Sequence, residues 1–377
     1  MIELDAAGIT TVPSEHTDLH DVRARPKRRE KSPPSTQPTA AAPVAPPGLR
    51  PRQRVRHPQF GDTRAVIIVQ SGRIVFERYM DGFSRDTRLI SWSMAKSVTQ
   101  ALVGVGVLQG RVSIEAPMGS PHWRAGDRRV SITWRQWLNM VDGQDYTEIG
   151  APDVLSNDVT HMLYGRGRGD TARFAAGLPL IHDPGARWNY NSAGSILISD
   201  ALTRAIVPDP SNATDRRNRM RAWMQEGLFG PIGMNPVVEF DRQGLYYGSA
   251  LIWANARDWA RFGYLYLRGG VWDGRQVLPE AWVDFARTPG PDRGTDIYGA
   301  HWWLTAPDGQ GKPMRSLITD PDLADSFHAQ GHEGQIIVVV PSKDLVLVRL
   351  GLFEGAEGWD ALGDWATRMI GAFGDRP

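Results

Sequence analysis

Strand-forming stretches near both ends of this chain restrict its possible folds more than any other feature of the sequence. The stretches Arg64–Gln70 (RAVIIVQ) and Arg73–Tyr79 (RIVFERY) are rich in β-branched residues and are separated by Ser71-Gly72, a two-residue hairpin signal. Two further apolar strands are predicted at Gln335–Val340 and Leu345–Leu350. Because the residues between these two pairs have a mainly helical pattern, we expect both ends to form one sheet around a helical insertion. The sequence therefore predicts an α+β fold.

Helical periodicity dominates the region between the predicted strands. After Ser93, apolar residues at positions 94, 98, 101, 102, 105 and 108 recur with helical spacing, and Gly110 supplies a stop. The other predicted helices are Trp134–Met140, Thr171–Ala176, Ser192–Ala205, Ala256–Leu267, Pro279–Ala286 and Gly358–Phe373. We therefore expect a mainly antiparallel sheet flanked by helices, with an α/β lobe at 58–89 and 236–377 and an inserted helical lobe at 90–235.

The first 57 residues differ in composition from the rest of the chain. They contain ten Lys or Arg residues against six Asp or Glu, and positions 32–51 are dominated by Pro, Ala, Ser and Thr. Such a segment cannot bury enough apolar surface to offset the entropy lost on ordering, so we predict a mobile tail at 1–57 and a folded domain at 58–377. The sequence up to Asp21 is mixed and acidic, which does not fit a secretory signal and favours a cytoplasmic location.

The overall composition excludes several functional classes. The 377 residues are 41% hydrophobic with a net charge of +1, which is typical of a globular protein and not of one that binds nucleic acid. The absence of cysteine removes disulfides, thiol nucleophiles and thiolate metal sites. The run Ser97–Gly110 is shorter than the roughly 20 residues that a membrane-spanning helix needs. The glycines of this run have the wrong spacing for a nucleotide-binding loop, and we expect no cofactor. We also expect no metal and no membrane span. The protein is expected to be a monomer or a homodimer.

Ser93 and Lys96 form the first candidate catalytic pair. Residues three apart on a helix lie on one face, so the lysine amine can reach the serine hydroxyl and act as its base. For this, Lys96 must be neutral during attack, which requires burial or a neighbouring positive charge to lower its pKa from about 10.4. At a helix N-terminus, the Ser93 amide can also bind the oxyanion of a tetrahedral intermediate. Taken alone, the pattern also fits a serine N-cap followed by a surface lysine.

Two further segments carry candidate catalytic groups. Tyr190 follows the Pro184-Gly185 turn and precedes a predicted helix, so its hydroxyl can relay protons between nucleophile and leaving group. The plainer interpretation is a packed aromatic ring. The segment Phe327–Gln335 (FHAQGHEGQ) bears glycines before an apolar strand, where substrate can approach the backbone and an exposed N–H can complete an oxyanion site. Here the plainer interpretation is an ordinary turn.

The order of these three segments resembles the serine β-lactamase and penicillin-binding-protein superfamily, in its class C and family VIII carboxylesterase branch. Five stretches are most similar to the subgroup that includes 6-aminohexanoate-dimer hydrolases: LPLIHDPG at 178–185, WNYNS at 188–192, WANARDWARFG at 253–263, YGAHWW at 298–303 and GHEGQ at 331–335. The resemblance extends from about residue 60 to the C-terminus and implies a β-lactamase/transpeptidase-like fold. It also implies an acylated serine at Ser93, a general base at Lys96 and a catalytic tyrosine at Tyr190.

The third motif departs from the Lys-Thr-Gly of true β-lactamases. Alignment with the 6-aminohexanoate subgroup places the oxyanion N–H at His332, whereas a His-x-Gly form starts at His332 or His328. We favour His332, with the Ser93 amide as the second donor. The missing lysine implies substrates without the carboxylate that this cation holds in β-lactamases and peptidases. The resemblance therefore implies a serine hydrolase that cleaves carboxylic esters or linear amides through an acyl-enzyme on Ser93.

Two alternatives stay open at this point. The same residues could support D-amino-acid peptidase or β-lactamase activity, or the fold could serve as a catalytically silent binding protein. The presence of all three reactive side chains argues against the silent protein. The predicted partner is a small-molecule ester or amide. The residues that could contact it, beside or within the motifs, are Trp92, Trp188, Trp302, Trp303 and Gly331, of which the tryptophans could wall an apolar acyl pocket.

Overall fold

A seven-stranded antiparallel sheet joins the two ends of the chain in the computed structural model. The structure describes residues 17–18 and 61–374, apart from 149–150, 152, 291–295, 306–316, 318–319, 354 and 356. In spatial order the strands are β1 (Thr17–Asp18), β3 (Arg73–Tyr79), β2 (Asp62–Gln70), β12 (Leu345–Leu352), β11 (Gln335–Val340), β10 (Phe327–Gly331) and β9 (Trp303–Leu304). The N-terminal hairpin pairs directly with the last strand, with Val348 opposite Ile67. The prediction that both ends build one sheet is confirmed.

Alternation along the central strands explains why helices cover both faces of this sheet. Successive side chains of a strand point to opposite faces, and in β2 the buried Ile67 belongs to the main core whereas the buried Ile68 belongs to a second one. Helices α1 (Met94–Leu108) and α7 (Ala256–Leu267) pack on the first face, and α9 (Glu357–Gly371) packs on the second. The sheet is therefore the middle layer of a three-layer lobe.

Helices are the predominant regular structure between α1 and α7, as predicted. Its helices are α2 (Trp134–Leu138), α3 (Asp158–Leu163), α4 (Thr171–Ala176), α5 (Ser192–Ile206) and α6 (Ala213–Met224), followed by the π turn Gln225–Phe229. Helix α6 was not predicted, because its sequence ATDRRNRMRAWM has no apolar stripe and buries only Met220 and Met224. Its start is stabilised by Asn212, whose side chain accepts two backbone N–H groups.

A small sheet next to the start of α1 was also absent from the sequence predictions. It consists of β4 (Leu89–Ile90), β6 (Ile252–Ala254) and β5 (Val237–Val238), in that order. Strands of two or three residues are too short to produce a periodic pattern. The remaining named elements are β7 (Val271–Trp272), β8 (Arg275–Gln276), α8 (Trp282–Ala286) and 3-10 turns at Arg128–Ser131, Val154–Ser156, Pro321–Leu323, His332–Gly334 and Pro341–Lys343.

Of the predicted tail at 1–57, the structure describes only Thr17–Asp18, which pair with Ile74 and Arg73 at the edge of the sheet. The rest of the tail lies outside the described residues, so its mobility stays a prediction. In the part of the chain that the structure describes, no helix has the length and apolar character needed to cross a membrane.

Candidate active site

The start of α1 is held by the small sheet and presents Ser93 at the helix N-terminus. The Ser91 amide donates to the Ile252 carbonyl at 2.8 Å, and the Ile252 amide donates back to the Ser91 hydroxyl at 3.1 Å. Trp92 then adopts a left-handed conformation with φ of 44°, which costs about 1–2 kcal/mol for a residue with a side chain. Ser93 follows as the N-cap residue of α1 with a half-buried side chain.

Lys96 lies one turn further along α1 and is almost completely buried, with 1% of its surface exposed. Its Nζ lies 3.1 Å from the Ser93 Oγ, 2.7 Å from the Ser192 Oγ and 3.3 Å from the Ser249 carbonyl oxygen. A neutral amine has two N–H donors and one lone pair. Since the Ser249 carbonyl can only accept, a neutral lysine can donate to it and to Ser192 while its lone pair faces the Ser93 hydroxyl.

The surroundings of Lys96 favour this neutral form. Burial lowers the pKa of Lys96 to about 8, and the Glu148 carboxylate opposes the shift by favouring the charged form. At pH 7 about one tenth of the lysine is therefore neutral. The interpretation of Lys96 as a surface lysine, which the sequence pattern alone allowed, is wrong.

Tyr190 reaches the same site from the segment before α5. Its ring is buried and lies 4.7 Å from the Lys96 Nζ. The next residue, Asn191, caps α5 with its side chain and donates to the Asp142 carboxylate at 3.1 Å. Burial raises the pKa of the Tyr190 hydroxyl above its usual range, Glu148 adds to this, and a hydrogen bond with Ser93 acts against it. At neutral pH the hydroxyl therefore carries a proton beside Ser93.

An aromatic cluster surrounds Tyr190 and is separate from both cores of the sheet. The Trp303 ring stacks on Tyr190 with their centroids 5.6 Å apart, and the edge of Tyr298 meets Trp303 at 5.0 Å. Trp188 packs on Tyr298 at 5.5 Å. The structure thus groups two of the predicted wall residues, Trp188 and Trp303, with the candidate catalytic tyrosine.

The prediction that Trp302 contacts the cleft is wrong. Its side chain is fully buried in the main core, where it stacks on Phe262 at 6.1 Å and meets Phe327 at 5.1 Å. Trp302 lies in the bend before β9, which follows His301 with its left-handed φ of 58°, and Trp303 is the first residue of the strand. Trp302 therefore packs under the sheet while Trp303 joins the aromatic cluster.

The chain turns sharply after β10, directly beside Trp92. Gly331 approaches the backbone before α1 so closely that a Cβ there would lie 2.1 Å from the Ser91 carbonyl oxygen. The exposed ring of His332 lies 5.5 Å from the Trp92 ring, and the Trp92 indole N–H donates to the Glu333 carboxylate at 3.2 Å. Gly331 thus makes room for the protein's own backbone, where the sequence suggested room for substrate.

His328, the alternative start of the third motif, lies in the interior of β10. It is fully buried and pairs with Val338 and Trp303 on the neighbouring strands. Burial lowers the pKa of its ring to about 3. Of the two histidines, His332 is the one at the open end of the strand, next to the start of α1.

Three groups that the sequence analysis missed surround Lys96. The Glu148 carboxylate accepts the Ser192 amide at 3.2 Å, and the Ser249 carbonyl accepts from the lysine amine. The buried His301 donates from Nδ1 to the Lys96 carbonyl at 2.9 Å, and burial lowers its pKa to about 3, so that the ring is neutral. No local pattern marks these residues, because Ser249 and His301 are 153 and 205 positions away from Lys96.

The family comparison covers all of these segments. The model of the Beta-lactamase family matches residues 61–351 of the 377. The chain belongs to the Beta-lactamase family. The resemblance to serine β-lactamases and penicillin-binding proteins that the motifs indicated is thereby confirmed.

Two relatives of this β-lactamase-family chain are about a quarter identical to it over the aligned residues. An uncharacterized protein from Mycobacterium tuberculosis is 26% identical over 321 residues, which cover 71% of this chain and 77% of that one. The 6-aminohexanoate-dimer hydrolase of Paenarthrobacter ureafaciens is 24% identical over 295 residues, which cover 76% and 72% of the two chains.

Solved structures of the same fold agree with the family assignment. A Bacillus anthracis structure provisionally assigned as a 6-aminohexanoate-dimer hydrolase has a TM-score of 0.63 and 21% identity, and covers 82% of this chain and 80% of that one. A penicillin-binding protein from Bacillus halodurans has a TM-score of 0.58 and 16% identity, with 82% and 96% covered. The predicted β-lactamase/transpeptidase-like fold is confirmed, and the family places the chain among the hydrolases.

Proposed function

We propose that this chain is a serine hydrolase that cleaves carboxylic esters or linear amides through an acyl-enzyme on Ser93. One observation carries the proposal: the buried Lys96 Nζ, whose pKa is lowered to about 8, lies 3.1 Å from the Ser93 Oγ. A serine hydroxyl is a weak nucleophile unless a base takes its proton, and a partly neutral amine at hydrogen-bond distance meets that need.

In the first step Ser93 attacks the carbonyl carbon of the substrate. The new bond joins the Oγ to that carbon, and the hydroxyl proton moves to the neutral Lys96. The Ser192 hydroxyl and the Ser249 carbonyl accept the N–H groups of the amine and so keep its lone pair aimed at Ser93. The carbonyl oxygen becomes an oxyanion as the carbon becomes tetrahedral.

Two backbone amides stabilise this oxyanion in the proposed mechanism. The Ser93 amide lies at the N-terminus of α1, where the first N–H groups have no partner within the helix. The second amide belongs to His332, in the turn that Trp92 contacts. Preorganised donors of this kind usually stabilise the transition state more than any other single group does. Removing one such donor slows the reaction by a factor of about 100 to 1,000.

Tyr190 supplies the proton that the leaving group needs. The pKa of its hydroxyl lies above the usual range, so at neutral pH the group is a proton donor and not a base. The bond between the carbonyl carbon and the leaving oxygen or nitrogen breaks, the tyrosine proton goes to that atom, and Lys96 returns a proton to Tyr190. In the second step water attacks the acyl carbon and gives a proton to Lys96. The bond between that carbon and the Ser93 Oγ then breaks, and Lys96 returns a proton to the Ser93 oxygen.

The surroundings of the site favour an apolar acyl group. The partly exposed Trp188 and the buried Trp303 and Tyr298 pack around Tyr190, and an aromatic ring at the edge of a site binds hydrocarbon surface. The third motif, which contains His332, lacks the lysine of the Lys-Thr-Gly motif of β-lactamases. The cation that holds a substrate carboxylate in those enzymes is therefore missing from this motif. A carboxylic ester or a linear amide that does not depend on this cation therefore suits the site better than a β-lactam, and one relative of the chain is a 6-aminohexanoate-dimer hydrolase.

Labelling with a fluorophosphonate tests the nucleophile. Intact-mass analysis should show one adduct on the wild type and none on Ser93→Ala, whose turnover of a short-chain p-nitrophenyl ester should fall at least a thousandfold. Ser199→Ala is the matched control, because Ser199 is buried on α5 and bonds the Ile196 and Tyr246 carbonyls outside the site. Labelling of Ser93→Ala, or more than a tenth of wild-type turnover, would rule out the assignment.

A substrate panel tests the reaction class. The panel contains a p-nitrophenyl ester, a linear 6-aminohexanoate amide, nitrocefin and a peptide ending in D-amino acids, each compared by kcat/KM. The proposal requires the ester or the linear amide to be preferred. Preference for nitrocefin or the D-peptide would assign the site to the β-lactamase or peptidase activity, and failure of both labelling and turnover would indicate a binding protein of this fold.

A further inference from the structure

Arg349 is a fully buried arginine on β12 whose guanidinium faces the turn after β10. Its Nη1 donates to the carbonyl oxygens of Glu333 at 3.0 Å and Gly334 at 2.8 Å. Its Nη2 donates to the Asp62 carbonyl at 3.0 Å, and its Nε to the Thr63 hydroxyl at 3.2 Å. The guanidinium therefore joins the turn to the start of β2.

Two glycines leave the space that this guanidinium occupies. A Cβ on Gly334 would lie 2.5 Å from the Arg349 Nη1, and a Cβ on Gly351 would lie 2.5 Å from its Cζ. Real Cβ atoms do not approach other atoms this closely, so a side chain at either position would displace the arginine. The Phe353 ring covers the remaining side, with its centroid 5.9 Å from the Cζ. The arginine thus fills a cavity shaped for it.

The turn itself has an unfavourable backbone conformation. Glu333 has φ of 63° and ψ of 22°, and Gly334 has φ of 80°, so two successive residues are left-handed. A residue with a side chain adopts this conformation only when its surroundings hold it there. The Arg349 guanidinium supplies that restraint, because it binds the carbonyl oxygens of both residues at once.

The same turn is fastened to the backbone beside Ser93. The Trp92 indole donates to the Glu333 carboxylate at 3.2 Å, and Gly331 lies against the Ser91 carbonyl with no room for a Cβ. Any movement of the turn would therefore change the distance between the His332 amide and the Ser93 amide.

We propose that Arg349 and Trp92 are positioning residues for the oxyanion site, holding the 331–334 turn so that the His332 and Ser93 amides converge on one oxygen. This inference rests on the proposed function, in which those two amides bind the oxyanion. Neither residue touches the reacting atoms. Arg349 acts through the carbonyls of the turn, and Trp92 acts through the side chain of Glu333.

Burial alone does not account for an arginine at position 349. Taking a guanidinium out of water is unfavourable, and burial lowers the pKa of Arg349 to about 9. A methionine would fill much of the same volume without that penalty. What a methionine lacks is the planar set of N–H donors that binds several carbonyl oxygens at once. The site thus needs directed donors, which is what positioning of the turn requires.

The test compares turnover with the binding of an alkyl boronic acid, which forms a tetrahedral adduct with a nucleophilic serine and places one oxygen in the oxyanion site. Arg349→Met should lower kcat for a p-nitrophenyl ester about 10- to 100-fold and raise the boronate Ki by a similar factor, with KM little changed. Arg349→Lys should recover part of both losses, because an ammonium donates to fewer carbonyls than a guanidinium. Active-site titration corrects all rates for the folded fraction.

Two further variants keep the test decisive. Trp92→Phe removes the indole donor and keeps an aromatic ring at a partly buried position, so it should fold and lose about 3- to 10-fold in kcat and boronate affinity together. Arg257→Met is the matched control, because Arg257 on α7 is a largely buried arginine that pairs with Glu77 on β3. This control should lower the melting temperature and leave kcat and Ki unchanged.

The outcomes separate this inference from the proposed function. If Ser93→Ala abolishes both turnover and boronate binding while Arg349→Met and Trp92→Phe keep the wild-type kcat and Ki, the positioning role alone is overturned. If Arg349→Met does not fold, Trp92→Phe alone tests the positioning role, and a wild-type kcat and boronate Ki in that variant would overturn it. If Ser93→Ala keeps wild-type turnover and boronate affinity, the proposed function itself has failed.

Discussion

Replacing Glu148 by Gln should move the pH dependence of turnover towards acid. The Glu148 carboxylate accepts the Ser192 amide at 3.2 Å, and the Ser192 hydroxyl in turn bonds the Lys96 amine at 2.7 Å. The negative charge of Glu148 favours protonated Lys96 and thereby raises its pKa against the effect of burial. Glutamine keeps an acceptor for the Ser192 amide but removes the charge, so the lysine pKa should fall and its neutral form should dominate at a lower pH.

The size of the effect follows from the ionisation of Lys96. With a pKa of about 8, the neutral fraction is roughly one hundredth at pH 6, one tenth at pH 7 and nine tenths at pH 9. Wild-type kcat/KM should therefore rise about tenfold per pH unit up to pH 7 and level off above pH 8. A fall of one unit in the lysine pKa on Glu148→Gln would raise the activity at pH 6 about tenfold.

The assay is the hydrolysis of a p-nitrophenyl ester between pH 5.5 and 9.5, followed at a wavelength where phenol and phenolate absorb equally. Glu115→Gln serves as the control, because Glu115 is an exposed carboxylate paired with Arg135 on the surface and carries the same charge. Its pH profile should coincide with that of the wild type. Circular dichroism at each pH shows that every variant stays folded.

Two results would refute this reasoning. A wild-type profile that is flat between pH 6 and pH 9 would mean that no ionisation of Lys96 limits the reaction. A midpoint for Glu148→Gln that is unchanged, or that moves to higher pH, would mean that the Glu148 carboxylate does not act on the lysine.

Three further predictions test other parts of the site. Tyr190→Phe should reduce amide turnover about 100-fold or more but ester turnover much less, because p-nitrophenolate leaves without a proton; an unchanged amide-to-ester ratio would exclude Tyr190 as the donor. Gly331→Ala should lower kcat about 100-fold, since a Cβ 2.1 Å from the Ser91 carbonyl must push the turn away by about 1 Å; a wild-type kcat after active-site titration would contradict this. Burial raises the pKa of Asp142 from 3.8 to about 6, so the folded state favours the protonated acid and loses stability as the pH rises from about 4 to 6. Asp142→Asn should therefore raise the free energy of unfolding above pH 6, by on the order of 3 kcal/mol, and reduce its pH dependence. Urea titrations in which the free energy of unfolding changes by the same amount between pH 5 and pH 8 in both proteins would count against this prediction.

Local sequence patterns were sufficient to predict those elements whose own apolar residues form a recognisable pattern. The predicted bounds of α4, α7 and β11 coincide with the observed Thr171–Ala176, Ala256–Leu267 and Gln335–Val340. The apolar residues of the helices recur at the helical period and β11 is a short continuous apolar run, so both signals are visible in the sequence without knowledge of the packing partner. Helix α6 lacks that period and was missed, because two buried methionines and its packing against other elements stabilise it.

One pair of site residues could also be predicted from its spacing along the chain. Ser93 and Lys96 are three residues apart, so any helix at this point brings them onto one face. The roles of Tyr190 and His332 came from the family resemblance, and their assignment stays a prediction until the variants are measured. No pattern assigned a role to Glu148 or to His301, although His301 lies in one of the stretches that carry the family resemblance, because their contacts with this site form only when distant segments meet.

Only the tertiary structure decided which of two neighbouring residues faces the site. Trp302 and Trp303 are indistinguishable in sequence, yet one is fully buried in the main core and the other stacks on Tyr190. His328 and His332 were both possible starts of the third motif, and the register of β10 buries the first while the second lies beyond the strand end. The side that a residue faces depends on strand register and on the chain that packs against it, and both are set by contacts between segments far apart in sequence.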